Sequence, residues 1–93
     1  MFGQIKITDR AKYREYAASF LKVLQMYQGE LLCLAETFEL LEGQWPHPRT
    51  VVVKFADKEA ALKWYHSKEY QALVEIRKDA AQANIVLVEN TIG

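Results

Sequence analysis

The stretch Gly29-Glu30-Leu31-Leu32-Cys33-Leu34-Ala35-Glu36 decides how the whole chain is read. Gly29 offers a stop to whatever helix precedes it, and the apolar run that follows carries no helical spacing, so Glu30 to Glu36 is expected to be a strand that is apolar on both faces. A sheet therefore follows a helix here, and the flanking sequence is organised around that switch.

Upstream, Phe2 to Ile7 sets Ile5 and Ile7 on one face and Gln4 and Lys6 on the other, the alternation of a first strand. Thr8 and Asp9 are good N-cap residues. After them Tyr13, Ala17, Phe20, Leu24 and Tyr27 recur at helical spacing, predicting a helix from about Asp9 to Gln28. Downstream, Phe38 to Leu41 reads as a continuation of the second strand, offset by a bulge or kink. A connector from Glu42 to Arg49 leads to a β-branched strand, Thr50 to Phe55, with Val51, Val53 and Phe55 on one face. Asp57 caps the next helix, which His66-Ser67 breaks, Ser67 acting as a fresh N-cap for a segment from Lys68 to about Gln82. Asn84 to Glu89 is the last strand.

The order β-α-β-β-α-β is the ferredoxin-like, split βαβ form of an α+β fold, a single domain over residues 1–93. Right-handed crossovers put the helices on one face of a four-stranded antiparallel sheet. The other face is then bare, yet Leu31 to Leu34 and Ile85 to Val88 are apolar at consecutive positions. An exposed apolar face of that extent marks an interaction surface, and the expected partner is a second copy, the two sheets meeting face to face as a dimeric α+β barrel.

Composition narrows the function classes. Twelve basic and twelve acidic side chains leave no net charge, so no basic field exists to grip a nucleic acid. No apolar run reaches the roughly 20 residues of a membrane span. The one cysteine, Cys33, is expected to be a buried inert thiol, and a reducing cytoplasm fits it. Cys33, His47 and His66 lack metal-ligand spacing, and the phosphate-binding and serine-hydrolase motifs are absent, so no metal or cofactor is expected.

What remains is the connector and the aromatic break. In Trp45-Pro46-His47-Pro48 each proline fixes its own φ and holds the residue before it extended, which suits a binding lip and a stiff connector equally. Arg49 either clamps a carboxylate ligand or pairs with a protein acid such as Glu42, and Arg77, at the margin of a buried helix face, wants a partner such as Glu42 or Glu89. Trp64, Tyr65 and Tyr70 flank the break, as core or as a pocket wall.

Taken together, Tyr16, Leu41-Glu42-Gly43-x-Trp45, Pro48-Arg49, Val51-Val52-Val53-Lys54-Phe55, Ala61, Trp64-Tyr65-x-Ser67-x-Glu69-Tyr70 and Arg77 resemble the DUF1330 family over nearly the whole chain. The resemblance implies a small bacterial protein with a dimeric ferredoxin-like barrel, similar in architecture to antibiotic-biosynthesis monooxygenases, stress-responsive barrel proteins and muconolactone isomerase. It implies no established activity. The chain departs from the family pattern at Glu30 and Glu36, where glycines are common, and at Asn90. The expectation carried forward is a homodimer that binds a small acidic or aromatic metabolite. Arg49 and Arg77 would hold its anionic group, Trp45, Trp64 and Tyr70 would wall it, and His47 or Glu42 would move a proton if it is a cofactor-independent enzyme. The rival is a non-catalytic structural or interaction module whose arginines are spent on internal ion pairs.

Overall fold

The computed structural model describes residues 1–89. Its elements are β1 Phe2–Ile7, α1 Arg10–Met26, β2 Glu30–Ala35, β3 Arg49–Lys54, α2 Lys58–Tyr65, α3 Lys68–Arg77 and β4 Ala81–Val86. The four strands form one antiparallel sheet in the order β2-β3-β1-β4, the ferredoxin-like arrangement. Ile5, Val51 and Val53 on one sheet face share a core with Tyr13, Tyr16 and Leu24 of α1 and with Trp64, Tyr70 and Leu73 of the two later helices, so all three helices cover the same face.

The helix starts obey local chemistry. Asp9 accepts from Lys12 N at 3.0 Å, Asp57 from Ala60 N at 2.8 Å and Ser67 from Tyr70 N at 3.1 Å. Ser67 also donates to the Trp64 carbonyl at 2.7 Å, so one hydroxyl ties the end of α2 to the start of α3 and fixes the break between them. The end of α1 is less orthodox. Gly29 N donates to Leu24 O at 3.0 Å and Gln28 N to Gln25 O at 3.1 Å, a Schellman pair, but the left-handed residue is Gln28, with φ 61°. Gly29 is required for space instead: a methyl group there would overlap the Leu24 side chain and the Phe55 ring.

Three expectations about the elements are corrected. The helix expected to reach Gln82 stops at Arg77, and β4 begins at Ala81 rather than Asn84. The Ala80 carbonyl accepts from Thr8 N and Asp9 N at 2.8 and 3.0 Å, and Ala81 to Val86 then pair with β1 from Ile7 back to Phe2. Six ladder positions outweigh the helix propensity of an alanine-rich segment. Phe38 to Leu41 belongs to no strand, because the β2-β3 ladder ends at Ala35 opposite Thr50. The sequence that would continue the partner strand contains Pro46 and Pro48, which have no N–H to donate. Cys33 is exposed, not buried. A register shift between Leu31 and Cys33 keeps Leu31 and Leu34 towards the helices and turns Leu32 and Cys33 outward.

Candidate functional site

Between α1 and the sheet lies a cavity of about 220 Å³. Its roof is one face of α1, where Tyr16 and Ala17 lie three and four residues after Tyr13 and four and three before Phe20. Its floor is the inner sheet face, with Ile5, Val51 and Ile85, and the half-exposed Leu21 and Leu34 stand at its mouth. Gly3 contributes space by having no side chain: an added Cβ would sit 3.8 Å from Ile85 and Val51, in ordinary contact. An apolar hole of about 150 Å³ is enough to admit a benzene ring, so the volume here suits a substituted ring or a short branched acid.

The polar groups converge at one end. Tyr16 and Tyr70 hydroxyls lie 2.7 Å apart, and Arg77 Nη1 donates to Tyr70 at 3.0 Å. Tyr16 and Tyr70 are 3% and 0% exposed and Arg77 is 7% exposed, so the chain is dry apart from the cavity itself. Arg77 is fully inside rather than at the margin of the helix face. Its partner is a phenol and not Glu42 or Glu89, and its guanidinium carbon stands 5.7 Å from the Tyr16 ring centre. Burial pushes the phenols of Tyr16 and Tyr70 upwards, Tyr16 further because Tyr70 lies beside it and Tyr70 less because the Arg77 charge opposes the effect. Burial likewise raises Tyr13, against the nearby Arg49. All three are therefore neutral O–H donors at physiological pH.

Arg49 reaches the same cavity from β3, its guanidinium carbon 5.4 Å from the centre of the Tyr13 ring. Nη1 donates to Glu36 at 2.8 Å, so its protein acid is Glu36 and not Glu42, and the contact is a single one. Glu36 also receives Arg10 at 3.3 and 3.5 Å. Arg49 Nε is buried with no partner among the described residues.

The Glu36 carboxyl is held below its ordinary range by hydrogen bonds from Arg10 first and Arg49 second. A depressed folded-state pKa contributes stability that is present above the unfolded value and lost as pH falls through the folded one. Glu36→Gln removes that contribution at every pH. The variant is expected to give a flatter acid limb than the parent in denaturation midpoints taken from pH 6 down to about pH 3; parallel limbs would contradict the assignment.

Among the residues expected to form a site, Arg49 and Tyr70 line the cavity, and Arg77 stands directly behind Tyr70. Trp64 is 1% exposed and packs on Tyr70 with ring centres 4.0 Å apart, a support for the wall rather than part of it. Trp45 donates its indole N–H to Thr50 Oγ1 at 3.2 Å, and Thr50 alternates with the cavity-lining Arg49 and Val51, so the indole is held on the other side of the sheet. Neither His47 nor Glu42 lines the cavity; both remain on the connector. The connector and the aromatic break do not meet. Tyr13 and Tyr16 are not among the residues the sequence marks as a site: Tyr13 reads as an aromatic of α1 and Tyr16 as part of the family resemblance, and the signal that separates them from Phe20 is the hydroxyl each carries into a buried face.

Among the described residues no three His, Cys, Asp or Glu side chains are grouped to hold a metal ion, and no helix is long and apolar enough to cross a membrane. Compared with known proteins, residues 1–91 match the model of a family described as a domain of unknown function, DUF1330. No curated protein matches the chain. A crystal structure of a protein of unknown function from Rhodopseudomonas palustris superposes with a TM-score of 0.73 at 12% identity, over 91% of this chain and 75% of that one. Its likeness is one of fold.

Proposed function

The chain belongs to the DUF1330 family, and from that premise we propose that it is a homodimer that binds a small acidic or aromatic metabolite in the cavity beneath α1. One observation carries the reading. Among the described residues the arginines are not closed off by paired carboxylates: Arg77 donates to a tyrosine hydroxyl and meets no acid, while Arg49, tied to Glu36 through one nitrogen, keeps a buried Nε–H with no partner, and both stand at a mainly apolar cavity. An apolar hole with a few directed polar groups is the usual form of a small-molecule site. Tyr13, Tyr16, Tyr70 and Arg49 would fix the polar group and Phe20, Leu21 and Ile85 the body of the ligand. Cofactor-independent catalysis is the stronger form of the same reading, with the tyrosine hydroxyls as acids in place of His47 and Glu42.

The dimer is supported by the outer sheet face. Cys33, Val52, Phe2 and Val86 are neighbours across four strands, with Leu32 and Val88 beside them and mostly exposed. Such a row buries well only against another surface, and a reducing cytoplasm suits the exposed thiol. The Arg10–Glu36–Arg49 cluster is what favours the rival, a structural module.

A thermal-shift screen of carboxylic acids and phenols against the parent and Gly3→Val separates the two readings. The valine methyls enter the cavity from a strand position that tolerates a β-branched residue, so folding should be retained while ligand-induced stabilisation disappears. A parent that gains no stability across the library, or a Gly3→Val protein that gains as much, counts against binding in this cavity. The same samples in light scattering should give twice the monomer mass, and a single-subunit mass at micromolar concentration overturns the dimer.

A further inference from the structure

The hydrogen bonds at the polar end of the cavity leave one donor over, which sets the form of ligand it prefers. Arg77 can only donate, so the Tyr70 oxygen is an acceptor. The contact between the Tyr16 and Tyr70 hydroxyls uses one of their two protons. Among the described residues neither hydroxyl has a further protein acceptor, and both rings line the cavity. One O–H is therefore left over at the cavity wall. Tyr70 is wholly buried and closest to the cation, so the satisfied arrangement runs from Arg77 to Tyr70 to Tyr16, with Tyr16 presenting the free proton. The charge behind this relay meets no carboxylate among the described residues.

We infer that the Tyr16-Tyr70-Arg77 relay is an oxyanion site, selective for ligands whose phenol or enol oxygen is bound in its ionised form. The inference rests on the binding reading above and specifies the ligand class. A neutral carbonyl oxygen would take the Tyr16 hydrogen bond as well, but only an oxygen bearing negative charge also gains from the uncompensated guanidinium in a site shielded from water. Arg77 acts through Tyr70 and is a positioning residue; Tyr16 is the contact. The proton lost by the ligand goes to solvent, and no bond to carbon is made or broken.

The test uses 4-nitrophenol, whose phenolate is coloured and whose phenol is not, with 4-nitroanisole as its non-ionisable counterpart. The full chain should bind nitrophenol as the phenolate, lowering its apparent pKa by at least about one unit. Tyr16→Phe should weaken phenolate binding about 10- to 100-fold, as expected for a lost hydrogen bond to a charged group, and return the pKa of the bound dye towards its free value. Arg77→Met should also reverse the pKa shift while leaving nitroanisole affinity unchanged, an outcome that reports an intact cavity in both variants. Nitrophenol bound as the neutral phenol, or a phenolate signal that survives Tyr16→Phe, overturns the oxyanion site while leaving binding in the cavity standing. Failure of both probes to bind the parent chain overturns the binding reading and this inference with it.

Discussion

Trp64→Ala is expected to lower unfolding free energy by about 3 to 5 kcal/mol, the usual cost of truncating a buried aromatic. Trp64 is 1% exposed, and its ring centre lies 4.0 Å from that of Tyr70, 5.3 Å from that of Phe55 and 6.3 Å from that of Phe20. It therefore joins α1, β3's trailing edge and α3, and its loss leaves a void at the junction that no single side chain can fill. A chain of 93 residues has only roughly 5 to 14 kcal/mol in total, so the variant should lose about a fifth or more of its stability and unfold at a clearly lower urea concentration than the parent. Urea titration at fixed protein concentration measures it. A fall below about 1 kcal/mol would mean that the aromatic cluster is not rigidly packed and collapses into the space.

Arg77 should separate stability from function. Arg77→Ala removes the donor to a Tyr70 hydroxyl that is 0% exposed and opens a void, for an expected loss of about 2 to 4 kcal/mol. Arg77→Met fills most of the volume and removes a buried charge that has no carboxylate partner among the described residues. That exchange is expected to leave stability within about 1 kcal/mol of the parent, or to raise it. Equilibrium unfolding of both variants distinguishes them. Equal losses for alanine and methionine would mean that the guanidinium is a net stabiliser, and the case for its retention by ligand recognition would weaken. A methionine variant that folds at least as well as the parent leaves recognition as the physical reason for an arginine at this position.

The site was only partly legible in advance. Arg49, Tyr70 and Arg77 could be picked because each is a polar or amphipathic residue at an apolar position, and such placements need a partner wherever they fold. The partners could not be read. Glu36, six residues from the expected Glu42, receives Arg49 because the hairpin ladder ends at Ala35 opposite Thr50, which brings the residue just after β2 beside the start of β3. Likewise Tyr16 and Tyr70 are 54 positions apart in the chain, and only the packing of α1 on α3 sets their hydroxyls 2.7 Å from each other. The stiff connector drew attention for its composition, yet its prolines act by ending the ladder, and Trp45 turns to Thr50 and away from the cavity.

The order of elements, the caps at Asp9, Asp57 and Ser67 and the break between α2 and α3 followed from the sequence alone, because each depends on chemistry within a few residues. The start of β4 in an alanine-rich segment, the outward turn of Cys33 and the meeting of two tyrosines with an arginine around a cavity were decided by tertiary structure. Local propensity differs by tenths of a kcal/mol per residue between conformations, whereas a strand gained by β1 or a buried hydroxyl left unpaired counts in whole kcal/mol. Contacts between distant segments therefore settle what neighbouring residues leave nearly balanced.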